Sequence, residues 1–302
     1  MITAQPEGSA NVRHMIAPPG SGGPTVLRIL LGAQLRRLRE ARRISVDDAG
    51  KMIGASHSKV SRLETGRVSF KDRDIATLLT LYGVTDEEQR TAFQLLTRSA
   101  NAHGWWHDYS DILPSWFEAY LGLEEAAQSI RTYEIQFVPG LLQTEEYAHA
   151  VTMLGHQSAP ASEVERRVRL RMARQDLLVS PHSPHLWAAL DEAVLRRPVG
   201  RPGVMRRQLA RLLEAAERPN VTIQVIPFQA GGHAAAGGPF SILRFAEPDL
   251  PDVVYLEQLT SALYLDKRDT VDHYIAVMDR LCIEAAPAHA SASVICEILR
   301  EG

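Results

Sequence analysis

Ile44–Arg67 reads ISVDDAGKMIGASHSKVSRLETGR, and its punctuation predicts two short helices with a tight turn between them. Ser45 is placed as an N-cap, with the acidic Asp48 three residues on in the first turn. The first helix then runs to Ile53 and stops at Gly54, a residue suited to the left-handed conformation that closes a helix. Ser56 is the next N-cap, so a second helix starts two residues later and ends at Gly66. Val60 and Leu63 are three apart and fall on one face of that helix. His57, Ser58, Ser61 and Arg62 fall on the other. Two helices joined through a glycine turn match a helix-turn-helix, whose second helix enters the DNA major groove.

The flanks extend this into a small all-α domain. Upstream, LGAQLRRLREARRIS sets Leu31, Leu35, Leu38 and Ala41 on one apolar face, with arginines around the rest. Downstream, Ile75, Leu78, Leu79 and Tyr82 mark a fourth helix, and TDEEQRTAFQLLTRSA a fifth, capped by Thr85 with Glu88 at N3. Between Pro24 and Ala100 there are 14 Lys/Arg and 9 Asp/Glu, a net +5. From Asn101 onward there are 18 and 26, a net −8, so the overall −3 conceals a basic head and an acidic body. Polyanions are attracted to the first and not to the second.

On the outward face of the second helix, Arg62 has the fork that pairs with guanine, and His57, Ser58 and Ser61 offer further donors and acceptors. These four are the expected base contacts. Ser56, Lys59, Arg67, Lys71 and Arg73 are the expected contacts to the phosphate backbone, the first at a helix N-terminus, where backbone N–H groups favour an anion.

The run from Leu35 to Arg67, LRRLREARRISVDDAGKMIGASHSKVSRLETGR, resembles the xenobiotic-response-element type of helix-turn-helix, the phage-repressor class. In that family an arginine of the first helix pairs with the glutamate of the LE-x-G sequence, which the resemblance transfers to Arg39 and Glu64 as a structural ion pair. Two positions depart from it. Gly50 stands where the family usually has Ala, and Val46 where related repressors often present a polar phosphate contact.

Beyond Asn101 the texture changes to mixed α and β. SIRTYEIQFVPG, HLWAALDEAVL, NVTIQVIPF, PFSILRF and DVVYLEQL read as strands. Helices are expected near Glu145–Leu154, Glu163–Val179, Val204–Ala216, Thr270–Glu284 and Ala288–Arg300. The fold expected is therefore an all-α helix-turn-helix domain over residues 25–100 and a larger mixed α/β (α+β) domain over residues 101–302. A flexible Pro/Gly/Ser-rich arm over residues 1–24 precedes them. HGWWHDY, FVPGLLQTEEYAHAV, NVTIQVIPF and YLDKRDTVDHY, spanning roughly Trp105 to Cys282, resemble the C-terminal domain that follows this helix-turn-helix in actinobacterial regulators. That resemblance implies an antitoxin-like regulator with a small protein partner encoded nearby, and supplies no catalytic mechanism.

The residues themselves lend catalysis no support. His103 and His107 flank Trp105 and Trp106 at i, i+4 spacing but lack a third ligand, so no metal is expected. AGGHAAAGGPF is Gly-rich without the Lys-Ser/Thr of a phosphate loop and reads as a loop between strands. Asp191 and Glu192, adjacent on a strand, would point to opposite faces. PGLLQTEEYA reads either as a recognition edge or, better, as a loop entering a helix capped by Thr144. The arginines of ERRVRLRMARQDLL read either as pairing with acidic surfaces of the same domain or a partner or, better, as a solvated face. Cys282 and Cys296 read as two buried thiols of a cytosolic protein.

With no cofactor expected, the partners are double-stranded DNA, a second copy of the chain in a homodimer, and a small protein or a small-molecule ligand. No apolar run reaches the roughly 18 residues of a membrane span, and a cytoplasmic location is expected. Two rival readings stand beside a transcriptional regulator: an antitoxin-type protein that neutralises a partner and autoregulates, and a DNA-tethered enzyme.

Overall fold

Pro24 opens the first helix at the position where a missing N–H costs nothing. The computed structural model describes residues 23–247 and 250–301, so the arm expected over residues 1–24 lies, up to residue 22, outside the described residues. The chain divides into two compact units between His107 and Asp108.

The N-terminal unit is five helices: α1 (Pro24–Ala41), α2 (Val46–Ile53), α3 (His57–Glu64), α4 (Asp72–Leu81) and α5 (Glu87–Ala100). Leu31 and Leu35 of α1, Val60 and Leu63 of α3, Ile75, Leu78 and Leu79 of α4 and Phe93 of α5 bury one shared core. Ala41, expected on that face, is exposed, because the helix ends there and the chain turns away. Thr85 is not the cap of α5. Asp86 takes that place and accepts from Glu88 N, its carboxylate also favouring the positive end of the helix dipole. After α5, the Asn101 amide accepts from Phe70 N at 2.9 Å and donates to Phe70 O at 2.6 Å, tying the end of the bundle to the loop before α4.

The C-terminal unit is a six-stranded mixed sheet with helices, in the order β3-β2-β1-β4-β5-β6. Its strands are β1 (Ala127–Glu134), β2 (His185–Asp191), β3 (Val221–Ile226), β4 (Phe240–Phe245), β5 (Val253–Glu257) and β6 (Ala262–Leu265). α6 (Ser115–Ala126) leads into β1. Strands β1, β2 and β3 are parallel, and parallel neighbours need crossovers. α7 (Glu145–Gly155) and α8 (Ala161–Ala173) make the first crossover, and α9 (Glu192–Arg196) and α10 (Pro202–Ala216) the second. Leu186, Ala188, Ala189, Leu190, Ile223, Val225 and Ile226 are all buried, as expected of a sheet covered on both faces. Strands β4, β5 and β6 run antiparallel. The sequence signals do not mark β6, whose four residues are short and partly exposed. The chain closes with α11 (Arg268–Glu284) and α12 (Ala288–Glu301).

Where α11 gives way to α12, the chain pairs with edge strand β3. Ala286 N donates to Val225 O and Val225 N donates to Ser291 Oγ, both at 2.9 Å. Satisfying edge donors and acceptors in this way blunts the edge. Among the described residues no single helix is long and apolar enough to cross a membrane; α11 and α12 reach that length and apolarity only together, and they are bent by 65°.

Candidate nucleic-acid interface

The turn between α2 and α3 is built by local chemistry. Ser45 Oγ accepts from Asp48 N at 3.1 Å and donates to Asp48 Oδ2 at 2.7 Å. That hydrogen bond, followed by the Lys51 ammonium, holds the Asp48 carboxyl below its ordinary value. At the other end of α2, Gly54 adopts φ +63°, while Ala55 N donates to Gly50 O and Gly54 N to Lys51 O. This is the paired closure of a Schellman motif. Ala55 and the extended Ser56 then lead into α3, the Ser56 side chain accepting from Lys59 N to cap it. Gly50 is demanded by contact: a Cβ there would lie 2.6 Å from Ala55 O. Val46 packs against the core, so this position carries no polar group to the surface.

Tertiary contacts then fix α3. Val60 and Leu63 are buried. Arg39 Nε donates to Glu64 Oε1 at 2.6 Å and Nη2 to Glu64 Oε2 at 2.9 Å, while Nη1 donates to Ile44 O at 2.8 Å. One guanidinium thus grips the end of α3 and the loop before α2. The glutamate raises the affinity of Arg39 for its proton through that hydrogen bond, against the opposing effect of burial. The Tyr82 hydroxyl is also buried and lacks a hydrogen-bond partner among the described residues. Burial first, and then the Glu64 charge, pushes it up to about 12.

His57, Ser58, Ser61 and Arg62 all lie exposed on α3. Arg62 folds back along its helix, its Nε donating to Ser58 O at 3.3 Å. Of the residues expected at the phosphate backbone, Ser56, Arg67, Lys71 and Arg73 are exposed. Lys59 stands apart: it is half-buried and its Nζ lies 3.2 Å from Asp74 Oδ2, so it is engaged within the domain. Arg43 was not singled out from sequence. Exposed in the loop before Ser45, it is the one non-glycine residue with positive φ among the described residues, at +53°. A basic residue directly after a helix end, where glycine is usual, is the signal that would have found it.

The other residues weighed from sequence take structural places. His103 and His107 stack with ring centroids 3.9 Å apart. Among the described residues no three His, Cys, Asp or Glu are grouped to hold a metal ion. Asp191 and Glu192 do not sit together on a strand: Asp191 ends β2 and caps α9 through Ala193 N, whereas Glu192 accepts from Phe228 N and Arg196 Nε. His233 of the Gly-rich loop reaches the Tyr133 hydroxyl at 2.9 Å, and Thr144 caps α7. Cys282 and Cys296 are half-buried rather than buried.

The solvated arginine face is overturned. Arg174 is buried in a bidentate pair with Glu124, at 2.9 and 2.7 Å, and Arg171 reaches inward to Gln143 Oε1 at 3.1 Å. Arg166 grips Asp111 with two nitrogens. Arg169 stays exposed, so the run is not one face: its period says which residues share a side, and the side of Arg171 and Arg174 meets protein.

Comparison with known protein families gives two matches. A helix-turn-helix domain matches residues 30–93, and a domain of unknown function (DUF5753) matches residues 117–297, more than half the chain. No curated protein and no solved structure matches. The helix-turn-helix makes this a DNA-binding regulator, with α3 in the place of the recognition helix.

Proposed function

The chain belongs to the family defined by that domain of unknown function, and on this premise we propose that it is a cytoplasmic, sequence-specific transcriptional regulator that binds DNA as a homodimer. The observation that carries this reading is the split character of α3. Val60 and Leu63 anchor it, while His57, Ser58, Ser61 and Arg62 stand clear of the core with no acidic residue among them. Arg62 reads guanine, and Arg67, Lys71 and Arg73, with Ser56 at the helix N-terminus, set affinity on the phosphates. One recognition helix covers too few base pairs for high specificity. Two copies, their helices about 34 Å apart, read a pseudo-palindrome.

In this reading the acidic C-terminal domain binds rather than catalyses. It carries dimerisation and the input signal, a small molecule or a small protein, which shifts the population between DNA-competent and incompetent arrangements. Selection of bound sequences from random duplex DNA, with the full chain at near-physiological salt, tests the proposal. A palindromic consensus with half-sites one helical turn apart is expected. Failure to enrich any sequence overturns sequence-specific binding by the chain alone, and co-purification of a small protein that the chain neutralises favours the antitoxin reading instead.

A further inference from the structure

A cavity of about 1040 Å³ opens within the C-terminal unit, lined from α6, α8, β1, β4 and β5. Its size suits a drug-sized molecule, for which pockets run roughly 300–1,000 Å³. One side is aromatic. Phe117 stacks on Tyr120 with centroids 5.5 Å apart, and Tyr120 meets Tyr255 at 4.3 Å. Trp116 also lines the space.

Three arginines line it, and they differ in kind: Arg167 is paired with Glu163 of its own helix. Arg174 is spoken for: Glu124 neutralises it, and its guanidinium lies over the Phe117 and Tyr120 rings at 5.2 and 5.6 Å. Arg171, one turn earlier on α8, has only the neutral Gln143 amide. No carboxylate among the described residues forms an ion pair with it. Burial first, and then the Arg174 charge, lowers it to about 10. Across the same lining, Glu134 at the end of β1 has no hydrogen-bond partner among the described residues. Burial, with the Glu257 charge adding, pushes its carboxyl up to about 8. A half-buried guanidinium with no ion-pair partner beyond the more distant Glu257 charge, and a half-buried carboxyl with no hydrogen-bond partner, each cost stability. Both costs fall when one ligand supplies an oxyanion to the first and a hydrogen-bond donor to the second.

We propose that this cavity binds a small organic effector whose aromatic or aliphatic body carries an oxyanion for Arg171 and a hydrogen-bond donor for Glu134. Its action on DNA binding rests on the regulator reading above; its presence in the cavity does not.

Anilinonaphthalene sulfonate is a fitting probe, with an aromatic body, a sulfonate and an N–H. Fluorescence titration of the full chain is expected to saturate at one probe per chain. Arg171→Met should weaken binding roughly tenfold or more, the loss of one charge-assisted hydrogen bond. Arg171→Lys, which keeps the charge, should weaken it less. Binding that does not saturate, or that is unchanged in an Arg171→Met protein with native circular dichroism, overturns the proposal.

Should Arg171→Met fail to fold, the pH profile decides. Glu257, Tyr133 and Tyr147 are the titratable groups coupled to Glu134, with Arg171 and Arg174 beside them in the lining. The probe's N–H bonds Glu134 more strongly once that carboxyl ionises, so affinity should rise severalfold between about pH 7 and pH 9, and Glu134→Gln should flatten that rise. A flat wild-type profile overturns the proposal. Because the titration contains no DNA, its result stands or falls apart from the sequence selection.

Discussion

Arg39 and Glu64 stand 25 residues apart in the chain and meet through two hydrogen bonds of 2.6 and 2.9 Å, with both side chains buried. The pair joins the helix before the helix-turn-helix to the end of its recognition helix, and the third arm of Arg39 holds the Ile44 carbonyl. Glu64→Ala strands a buried guanidinium and should cost about 3–5 kcal/mol, read from urea unfolding of the full chain. The Arg39→Met/Glu64→Leu double variant should recover most of that loss. Equal destabilisation in the double variant would show that the pair contributes more than compensation for its own burial.

Gly50→Ala sets two effects against each other. Helix propensity favours Ala by about 1 kcal/mol, yet the added methyl meets the Ala55 carbonyl at 2.6 Å, a backbone atom that cannot swing away. The clash should win, with a net loss of about 1–3 kcal/mol in urea midpoint terms. A stabilised variant would mean that the turn between α2 and α3 shifts at little cost.

Arg43 holds a left-handed conformation that costs a side chain about 1–2 kcal/mol. Arg43→Gly should therefore raise stability by up to about 1 kcal/mol, after the greater freedom of glycine in the unfolded chain. Thermal unfolding checks this. A loss instead would show that the arginine makes a favourable interaction in the folded domain.

Arg62→Ala and Arg67→Ala separate reading from gripping. The first should cost about 1–3 kcal/mol and relax preference at one position of each half-site. The second should weaken all sequences alike and reduce the salt slope by about one phosphate contact. Binding assays on the selected site and on single-base variants tell them apart, and a uniform effect of both would place α3 in a different orientation.

Glu134 makes the C-terminal unit sensitive to pH. Its ordinary value is 4.5 and its folded value about 8, so between these the folded state holds a proton that the unfolded state has released. The stability from protonated burial is full below about pH 4.5 and is lost as pH rises through 8. Glu134→Gln should thus melt close to wild type near pH 5 and above it by pH 8–9, by a kcal/mol or more. Parallel melting curves at both pH values would contradict this.

The helix-turn-helix domain was largely legible without coordinates, because its signals are local. Caps at Ser45 and Ser56, a left-handed Gly54 and an inward Val60/Leu63 pair are decided within a turn or two of helix, where sequence spacing is spatial spacing. The same locality assigned the strands around Val221–Ile226 and Phe240–Phe245.

What lay beyond the sequence was whatever depends on distant partners. Lys59 looked like a free cation until Asp74 of the next helix came within 3.2 Å. The arginines of α8 looked solvated because a helical stripe says which residues share a side and not what that side meets. The strand order, with β1 between β2 and β4, brings Glu124, Glu134 and Tyr255 around Arg171 and Arg174 from separate elements. Periodicity along the chain thus determined the two helices of the helix-turn-helix by itself. Only the packing of the sheet decided which charges would be buried together, and so where the second domain has room for a ligand.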